Sequence, residues 1–84
     1  MHELYVGSAA ERDLKRLSPE DFKRVTRVIK RLAQDPRPAG CRKISGSTND
    51  YRIRVGNLRV IYELDDVERA VRIMRVRQRD VAYR

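Results

Sequence analysis

The 84-residue chain has few of the residues that build metal sites and covalent catalysis. It contains one cysteine, Cys41, one histidine, His2, and no tryptophan. A single cysteine excludes an intrachain disulfide, and one cysteine with one histidine cannot complete a tetrahedral zinc site. A catalytic cysteine needs a histidine nearby, and His2 lies at the N-terminus, so we interpret Cys41 as a structural thiol. We therefore expect no metal ion and no cofactor.

Long apolar segments and familiar hydrolase motifs are also missing. No run approaches the roughly 20 apolar residues that cross a bilayer. The N-terminus lacks the apolar stretch of a secretory signal peptide, which predicts a cytoplasmic protein. We find no Ser-His-Asp set and no phosphate-cradling glycine loop, and the acidic residues at 65–68 have the character of a solvated turn. Any chemistry must therefore come from another class of side chain.

Positive charge is what the sequence has in excess. Lysine and arginine number 20 against 12 acidic residues, which gives a formal net charge of +8. Sixteen of the 20 are arginines, whose planar guanidinium group matches the oxygens of a phosphate. This composition predicts a polyanionic partner such as RNA, DNA or the ribosome. The alternative is a solvated basic surface without a partner.

Two amphipathic helices are predicted after a short first strand at residues 2–7. Ser8 and Glu11 have the spacing of a capping box, which predicts the start of the first helix. Ser18 predicts the start of the second, which ends before Pro36 because proline disfavours a helical conformation in the preceding residue. The second helix has an apolar stripe at Phe22, Val25, Ile29, Leu32 and Ala33.

The segment at residues 51–64 predicts a β-hairpin with two unlike faces. Its sequence is YRIRVGNLRVIYEL, and the Gly-Asn pair at 56–57 is a two-residue turn signal. Because side chains alternate along a strand, this turn places the apolar residues on one face. Arg52, Arg54 and Arg59 share the other face, with Arg54 directly across from Arg59. Like charges in that position destabilise a sheet, unless an anion such as a phosphate lies between them.

Further strands are predicted on both sides of the hairpin. Residues 41–45 form one, and residues 69–76 form the last, which an acidic turn connects to the hairpin. A four-residue turn there would pair Tyr62 with Val71 and keep the apolar face continuous. Residues 77–84 are predicted to form a polar tail or a short helical turn.

The order of these elements predicts a single α+β domain at residues 1–84. It comprises an N-terminal strand, a helical hairpin, and an antiparallel sheet of three or four strands with the helices on one face. The arginine face should remain open to solvent. Strict alternation puts Arg77 on the core side, but its position at the end of the last strand leaves it able to turn toward the open face.

Arginines without a metal or a histidine are able to cleave RNA. The ribose 2′-hydroxyl is an internal nucleophile, so an enzyme needs to position it and to stabilise the charge that develops on the phosphate. The products are a 2′,3′-cyclic phosphate and a 5′-hydroxyl. Proton transfer is the harder step, because arginine stays protonated. Tyr83 is the available base if neighbouring arginines favour its ionised form, and otherwise it is able to stack on a nucleobase.

Three segments carry a family resemblance: RKISG, YRIRVGNLRVIYEL and IMRVRQRDVAYR. With the paired helices, they make nearly the whole chain similar to the RelE/ParE superfamily of bacterial toxins from type II toxin–antitoxin systems. The Arg-x-Arg-x-x-x-Tyr pattern at residues 77–83 favours the RelE branch. That branch implies an mRNA endoribonuclease that acts in the ribosomal A site, inhibits translation and is held inactive by a co-encoded antitoxin.

The resemblance also implies five catalytic residues. Arg52 occupies the position of a family lysine proposed as general base, although arginine is a poor base, and Arg54 matches a second basic residue that stabilises the transition state. Arg59 matches a phosphate-contacting arginine, Arg77 an arginine that acts on the leaving 5′-oxygen, and Tyr83 the C-terminal tyrosine of the site. The basic residues that we predict to bind RNA around this site are Arg79, Lys43, Lys23, Arg27 and Lys30.

Two other functions remain open from the sequence. One is a gyrase-directed or otherwise non-nucleolytic toxin on the same fold, as the ParE branch implies. The other is a basic binding module without catalysis, in which Arg54 and Arg59 would only protect a sheet edge from aggregation. For a toxin, we expect an antitoxin whose acidic residues cover the arginine face or displace the C-terminal tail.

Overall fold

The computed structural model describes residues 1–78. In that part of the chain, a first strand is followed by two helices and then by four more strands. The strands form one sheet in the order β1-β5-β4-β3-β2. The α+β fold with its helical hairpin is therefore confirmed, and β1 joins the sheet as a fifth strand parallel to β5. The elements are β1 (Glu3–Val6), α1 (Ser8–Lys15), α2 (Pro19–Gln34), β2 (Arg42–Lys43), β3 (Asp50–Val55), β4 (Leu58–Asp65) and β5 (Ala70–Gln78).

The second helix begins where the sequence predicts. The Ser18 hydroxyl accepts a hydrogen bond from the Asp21 N–H at 3.2 Å, and Pro19 is the first helical residue. Phe22 is 45% exposed, so its predicted place in the core is wrong. The other four residues of the predicted stripe are buried: Val25, Ile29, Leu32 and Ala33.

The first helix is capped differently from the prediction. Gly7 occupies the N-cap position, and no side-chain hydrogen bond from the described residues caps the helix, so the predicted box of Ser8 and Glu11 is wrong. The Gly7 N–H donates instead to the Ile73 carbonyl at 2.9 Å. The chain therefore leaves β1 for α1 while its backbone is still bound to β5.

The β3–β4 hairpin has the predicted register. Val55 pairs with Leu58 at the turn, and Arg54 pairs with Arg59. Gly56 has a φ of 61°, in the left-handed region, whereas Asn57 does not, so this two-residue hairpin turn has the pattern of type II′, which favours glycine at its first central position. Local turn chemistry is therefore sufficient to fix which residues face each other in this hairpin.

The β4–β5 register differs from the prediction by two residues. Tyr62 pairs with Ile73 rather than with Val71. The turn comprises residues 66–69 because Arg69 adopts a left-handed conformation, with a φ of 54°, and does not start the strand. Up to Ile73, a shift of two residues leaves each side chain on its predicted face, which is why the apolar pattern alone did not reveal the shift.

A β-bulge interrupts β5 at Met74. Ile61 pairs with Arg75 and Tyr62 pairs with Ile73, so Met74 is an extra residue in β5 with no partner in β4. The extra residue reverses the alternation of faces in the rest of the strand. Val76, opposite Val60, therefore points into the core and is 4% exposed.

The core lies between the two helices and one face of the sheet. Helix α2 contacts β1, β3 and β5, and α1 contacts β5. Neither helix in residues 1–78 is long and apolar enough to cross a membrane. The largest fully buried side chains are Tyr62, Leu32, Leu64, Ile73, Val25, Val60 and Val71.

Tyr62 connects the sheet to the loop that follows α2. Its ring stacks on Tyr51 at 5.8 Å between centroids, and its hydroxyl donates to the Pro36 carbonyl at 2.7 Å. Burial raises the pKa of the Tyr62 hydroxyl, so this group remains a hydrogen-bond donor. Arg37 continues the cluster, because it lies over the Tyr51 ring at 5.3 Å and pairs with Asp66 at 2.8 Å.

Arg69→Gly is expected to stabilise the fold by about 0.5–1 kcal/mol, because a left-handed conformation is unfavourable for a residue with a Cβ. Glycine retains the carbonyl that accepts the Glu3 N–H at 2.8 Å. Gly56→Ala is the converse control at another left-handed position and should be destabilising. Urea unfolding followed by circular dichroism measures both changes. A loss of stability in Arg69→Gly would contradict this account of the turn.

Candidate functional site

Three arginines form a row across β3, β4 and β5. Arg54 pairs with Arg59, and Arg59 pairs with Arg77. Residues directly opposite each other in a sheet project from the same face, and neighbouring strands lie roughly 4.8 Å apart. Leu58 and Val60, on either side of Arg59, point into the core, so the row lies on the face away from the helices.

Arg77 reaches this row through the bulge at Met74. Without the extra residue, the alternation that buries Ile73 would direct Arg77 toward the core as well. With it, Arg77 lies opposite Arg59 and remains inside β5, which continues to Gln78. The prediction that the strand ends at residue 76 is therefore wrong, and a turn of the chain end is not needed to bring Arg77 to this face.

Arg59 is 5% exposed, so its predicted position on an open surface is wrong. It lies on the central strand of the sheet, with Arg54 and Arg77 on either side. Arg54, on β3, is exposed, and Arg77 is half-buried. Removal of water from a guanidinium group strengthens its attraction for a phosphate, because the local dielectric constant is lower than that of water.

A depression of about 390 Å³ lies beside Arg59 on the same face. Arg52, which pairs with Ile61 across β4, joins Arg59 in its lining. Residues 43–45 form the opposite wall, and they bring Lys43 to the site as predicted for an RNA-binding residue. The full lining is Lys43, Ile44, Ser45, Arg52, Arg59 and Ile61.

A second depression, of about 350 Å³, lies on the other side of Arg52. Arg52 pairs with Arg42 of β2, and Arg54 is the next outward-facing residue of β3. Both arginines line this depression with Arg52, so Arg42 and Arg52 add two positive groups beside the row. The described residues thus place Arg42, Lys43, Arg52, Arg54, Arg59 and Arg77 on or beside one face of the sheet.

Three of the remaining predicted RNA-binding residues do not join this cluster. Lys23, Arg27 and Lys30 are exposed on α2, which packs against the opposite face of the sheet. Arg79 and Tyr83 lie outside the described residues. Within residues 1–78, no group of three or more histidine, cysteine or acidic side chains has the arrangement of a metal site.

Asp13 contacts the bulge from helix α1, and sequence reasoning missed it. Its carboxylate accepts hydrogen bonds from Arg75 Nε at 2.9 Å and from the Val76 N–H at 2.9 Å. The sequence signal that could have revealed Asp13 was its position beside the apolar stripe of α1, one residue before Leu14 and three after the buried Ala10.

Asp13 should make the stability of the fold depend on pH in the acidic range. The Arg75 hydrogen bond, aided by the Val76 N–H, holds the pKa of Asp13 below its usual value despite partial burial. A carboxylate with a lowered pKa stabilises the fold above its unfolded pKa of about 3.9, and this contribution is lost as the pH falls through the folded pKa. Between about pH 5 and pH 3, the urea midpoint of Asp13→Asn should therefore fall less than that of the unmodified chain. An equal fall of the urea midpoint in both chains over this pH range would contradict this role of Asp13.

Comparison with known proteins identifies the family. Residues 5–83 match the sequence model of the ParE toxin of the type II toxin–antitoxin system parDE. A Methanocaldococcus jannaschii protein, provisionally named toxin RelE1, is 32% identical over 76 residues, which cover 87% of this chain and 84% of the relative. The chain belongs to the RelE/ParE superfamily of type II toxins, as the sequence resemblance implied.

Solved structures of RelE toxins have the same fold. The RelB–RelE antitoxin–toxin complex from Methanococcus jannaschii matches with a TM-score of 0.79 and 26% identity, covering 94% of each chain. The archaeal RelE–RelB complex from Pyrococcus horikoshii OT3 matches with a TM-score of 0.83 and 22% identity, covering 93% of this chain and 94% of the other. The predicted RelE-like fold is therefore confirmed.

Proposed function

We propose that this toxin is a ribosome-dependent mRNA endoribonuclease that inhibits translation. The observation that carries the proposal is the row of Arg54, Arg59 and Arg77, which comes from three strands and has Arg52 beside it. Positive groups fixed on a rigid sheet are suited to stabilise a phosphate that gains negative charge. The nucleophile belongs to the substrate, so the reaction requires no metal ion and no cofactor.

In the proposed reaction, the ribose 2′-oxygen attacks the adjacent phosphorus while the bond from phosphorus to the 5′-oxygen breaks. Arg54 and Arg59 hold the phosphate between them, and Arg52 binds it from the neighbouring depression. Arg77 donates a hydrogen bond to the leaving 5′-oxygen and stabilises its negative charge, and this oxygen takes its proton from water to become the 5′-hydroxyl. Tyr83 is our candidate for the group that takes the proton from the 2′-hydroxyl, because arginine stays protonated at neutral pH.

The two faces of the molecule would contact different RNA segments. The arginine row and Lys43 would hold the mRNA that is cut, together with Arg79. The exposed face of α2 lies on the opposite side of the sheet, so one short mRNA segment does not reach both. We assign that face to ribosomal RNA around the A site, through the side chains of Lys23, Arg27 and Lys30.

We also propose that a co-encoded antitoxin keeps the toxin inactive in the cytoplasm. The solved structures from M. jannaschii and P. horikoshii are toxin–antitoxin complexes, which supports a partner of this kind. Acidic antitoxin residues should cover the arginine face or displace the C-terminal tail. An antitoxin complex whose interface touches neither would contradict the proposal.

Primer extension on mRNA from translating ribosomes tests the activity. We expect cuts in phase with codons, a 5′-hydroxyl on the downstream fragment and a 2′,3′-cyclic phosphate on the upstream one. The cuts should disappear when ribosomes are omitted or when the antitoxin is present. Growth arrest with intact mRNA would overturn the proposal.

A gyrase-directed toxin is the second candidate, because the family model that matches residues 5–83 is that of ParE toxins. This function predicts growth arrest with intact mRNA and damaged DNA. Purified gyrase would then be inhibited by the chain in a supercoiling assay, while ribosomes would translate normally.

Tyr83→Phe should lower the single-turnover cleavage rate by about 10²-fold or more, because the phenylalanine ring retains stacking but cannot transfer a proton. The measurement is the rate on ribosomes programmed with one mRNA, with toxin in excess. A fall of less than about threefold would assign Tyr83 to base stacking instead.

A further inference from the structure

We infer that Asp13 is a positioning residue that sets the face of β5 from which Arg77 projects. The catalytic part of this inference rests on the proposed function, since Arg77 is assigned there to the leaving 5′-oxygen. The structural part of the inference depends only on the contacts of Asp13. Asp13 itself lies on α1 and not in the arginine row.

Asp13 holds both residues that follow the bulge. One carboxylate oxygen accepts from Arg75 Nε and from the Val76 N–H, each at 2.9 Å. The other oxygen accepts from Arg75 Nη2 at 3.2 Å. The Asp13 side chain is 11% exposed and that of Arg75 is 42% exposed, so the carboxylate is largely shielded from water while the guanidinium group is partly open to it.

The Val76 N–H lies in the part of β5 that no longer pairs with β1. Strand β1 pairs with β5 only as far as Ile73, and the chain then turns at Gly7 into α1. The carboxylate of Asp13 therefore satisfies a β5 amide that β1 does not reach. A buried amide without a partner would favour a different path for the strand, because such a group is costly to leave unsatisfied.

The bulge decides the face on which Arg77 lies. In an unbroken strand, residues 73, 75 and 77 share one face, and Ile73 is fully buried in the core. In the structure, Met74 is the extra residue, and Arg77 lies opposite Arg59 on the outer face. Asp13 binds the two residues between Met74 and Arg77, so its contacts favour the bulged path. The charge of Arg77 also helps to lower the pKa of Asp13, after the larger effects of Arg75 and Val76.

A double-mutant cycle tests whether Asp13 acts through Arg77. The variants are Asp13→Ala, Arg77→Ala and the combination, and the assay is single-turnover cleavage on programmed ribosomes at increasing toxin concentration. We expect the maximal rate to fall about 100-fold for Arg77→Ala and about 10-fold for Asp13→Ala, with half-saturation nearly unchanged for Asp13→Ala. The combined variant should be no slower than Arg77→Ala within about twofold.

Glu11→Ala is the matched control, because it removes a carboxylate from an exposed position on the same helix. Its cleavage rate should remain within about twofold of the unmodified chain. Asp13→Asn retains an oxygen for the Val76 N–H and should recover part of the rate lost in Asp13→Ala. If Asp13→Ala does not fold, Asp13→Asn takes its place in the cycle. Multiplicative losses in the combined variant would overturn the positioning role.

A structural readout separates this inference from the proposed function. NMR spectra should show cross-strand contacts between the backbone protons of Arg59 and Arg77 in the unmodified chain. These contacts should weaken in Asp13→Ala, and the Val76 amide should exchange with solvent faster. If the unmodified chain cleaves no RNA, the proposed function fails and this readout alone decides the inference. Unchanged contacts and exchange in Asp13→Ala would overturn it.

Discussion

Arg59→Ala is expected to lower ribosome-dependent mRNA cleavage by about 10²–10³-fold, the effect of removing one preorganised group that stabilises transition-state charge. Arg59 is the middle member of the row and pairs with Arg54 on one side and Arg77 on the other. It is also the most buried of the three, so its charge is the least screened by water. The measurement is the single-turnover rate on programmed ribosomes.

Arg59→Lys separates charge from geometry at the same position. Lysine retains the positive charge but lacks the planar fork that binds two phosphate oxygens at once. We expect Arg59→Lys to recover only part of the lost rate. Recovery of the full rate would mean that Arg59 acts as a point charge, which contradicts the bidentate contact with phosphate.

Arg69→Gly provides the charge-matched control. It also removes one arginine, but from the β4–β5 turn at the far end of β4, on the order of 20 Å from Arg59 along the strand. Cleavage by this variant should stay within about threefold of the unmodified chain. If Arg69→Gly loses as much activity as Arg59→Ala, general charge and not the row determines cleavage.

Burial changes what Arg59→Ala does to the fold. At an exposed position such as Arg54, substitution by alanine usually changes stability by less than about 0.5 kcal/mol. Arg59 lies within the central strand, where its removal also takes away packing between neighbouring side chains. Circular dichroism and urea unfolding of each variant must therefore accompany the rates.

Two features that local sequence determines were predicted correctly, whereas the equally local capping box of Ser8 and Glu11 was not. The Gly-Asn turn and the period of two placed Arg54 opposite Arg59, because both signals lie within the same hairpin. The capping of α2 by Ser18 was predictable for the same reason, since donor and acceptor are three residues apart. Such features depend on neighbours in sequence, and neighbours in sequence are visible without a fold.

The parts that depend on distant contacts were not predictable. The β4–β5 turn was placed one residue too early because Arg69 adopts a left-handed conformation that its sequence context does not signal. The bulge at Met74 depends on Asp13, whose partner Arg75 is 62 residues away in sequence. The burial of Arg59 was likewise not predicted, because the face of β4 from which it projects was expected to be open to solvent.

Tyr62→Ala is expected to destabilise the fold by about 3–5 kcal/mol, the range for removal of a large buried aromatic side chain. Tyr62 is fully buried, stacks on Tyr51 and donates a hydrogen bond to the Pro36 carbonyl at 2.7 Å. Tyr62 also lies next to the one-residue bulge, because it pairs with Ile73 while its neighbour Ile61 pairs with Arg75. Small domains have only about 5–15 kcal/mol of stability, so much of this variant should unfold.

Tyr62→Phe removes only the hydroxyl and should lower stability by about 1 kcal/mol, because the ring still fills the core while the Pro36 carbonyl loses its donor. Tyr5→Ala is the exposed counterpart, since Tyr5 is 52% exposed and lies under Arg72 at 5.6 Å. That variant should lose no more than about 1 kcal/mol. Urea unfolding ranks the three variants by stability. Tyr62→Phe should cleave mRNA at the rate of the unmodified chain, because the Tyr62 hydroxyl lies on the core side of the sheet. Equal destabilisation by Tyr62→Ala and Tyr5→Ala would contradict the assignment of Tyr62 to the core. Loss of cleavage in a folded Tyr62→Phe variant would mean that the two faces of the sheet are coupled through this residue.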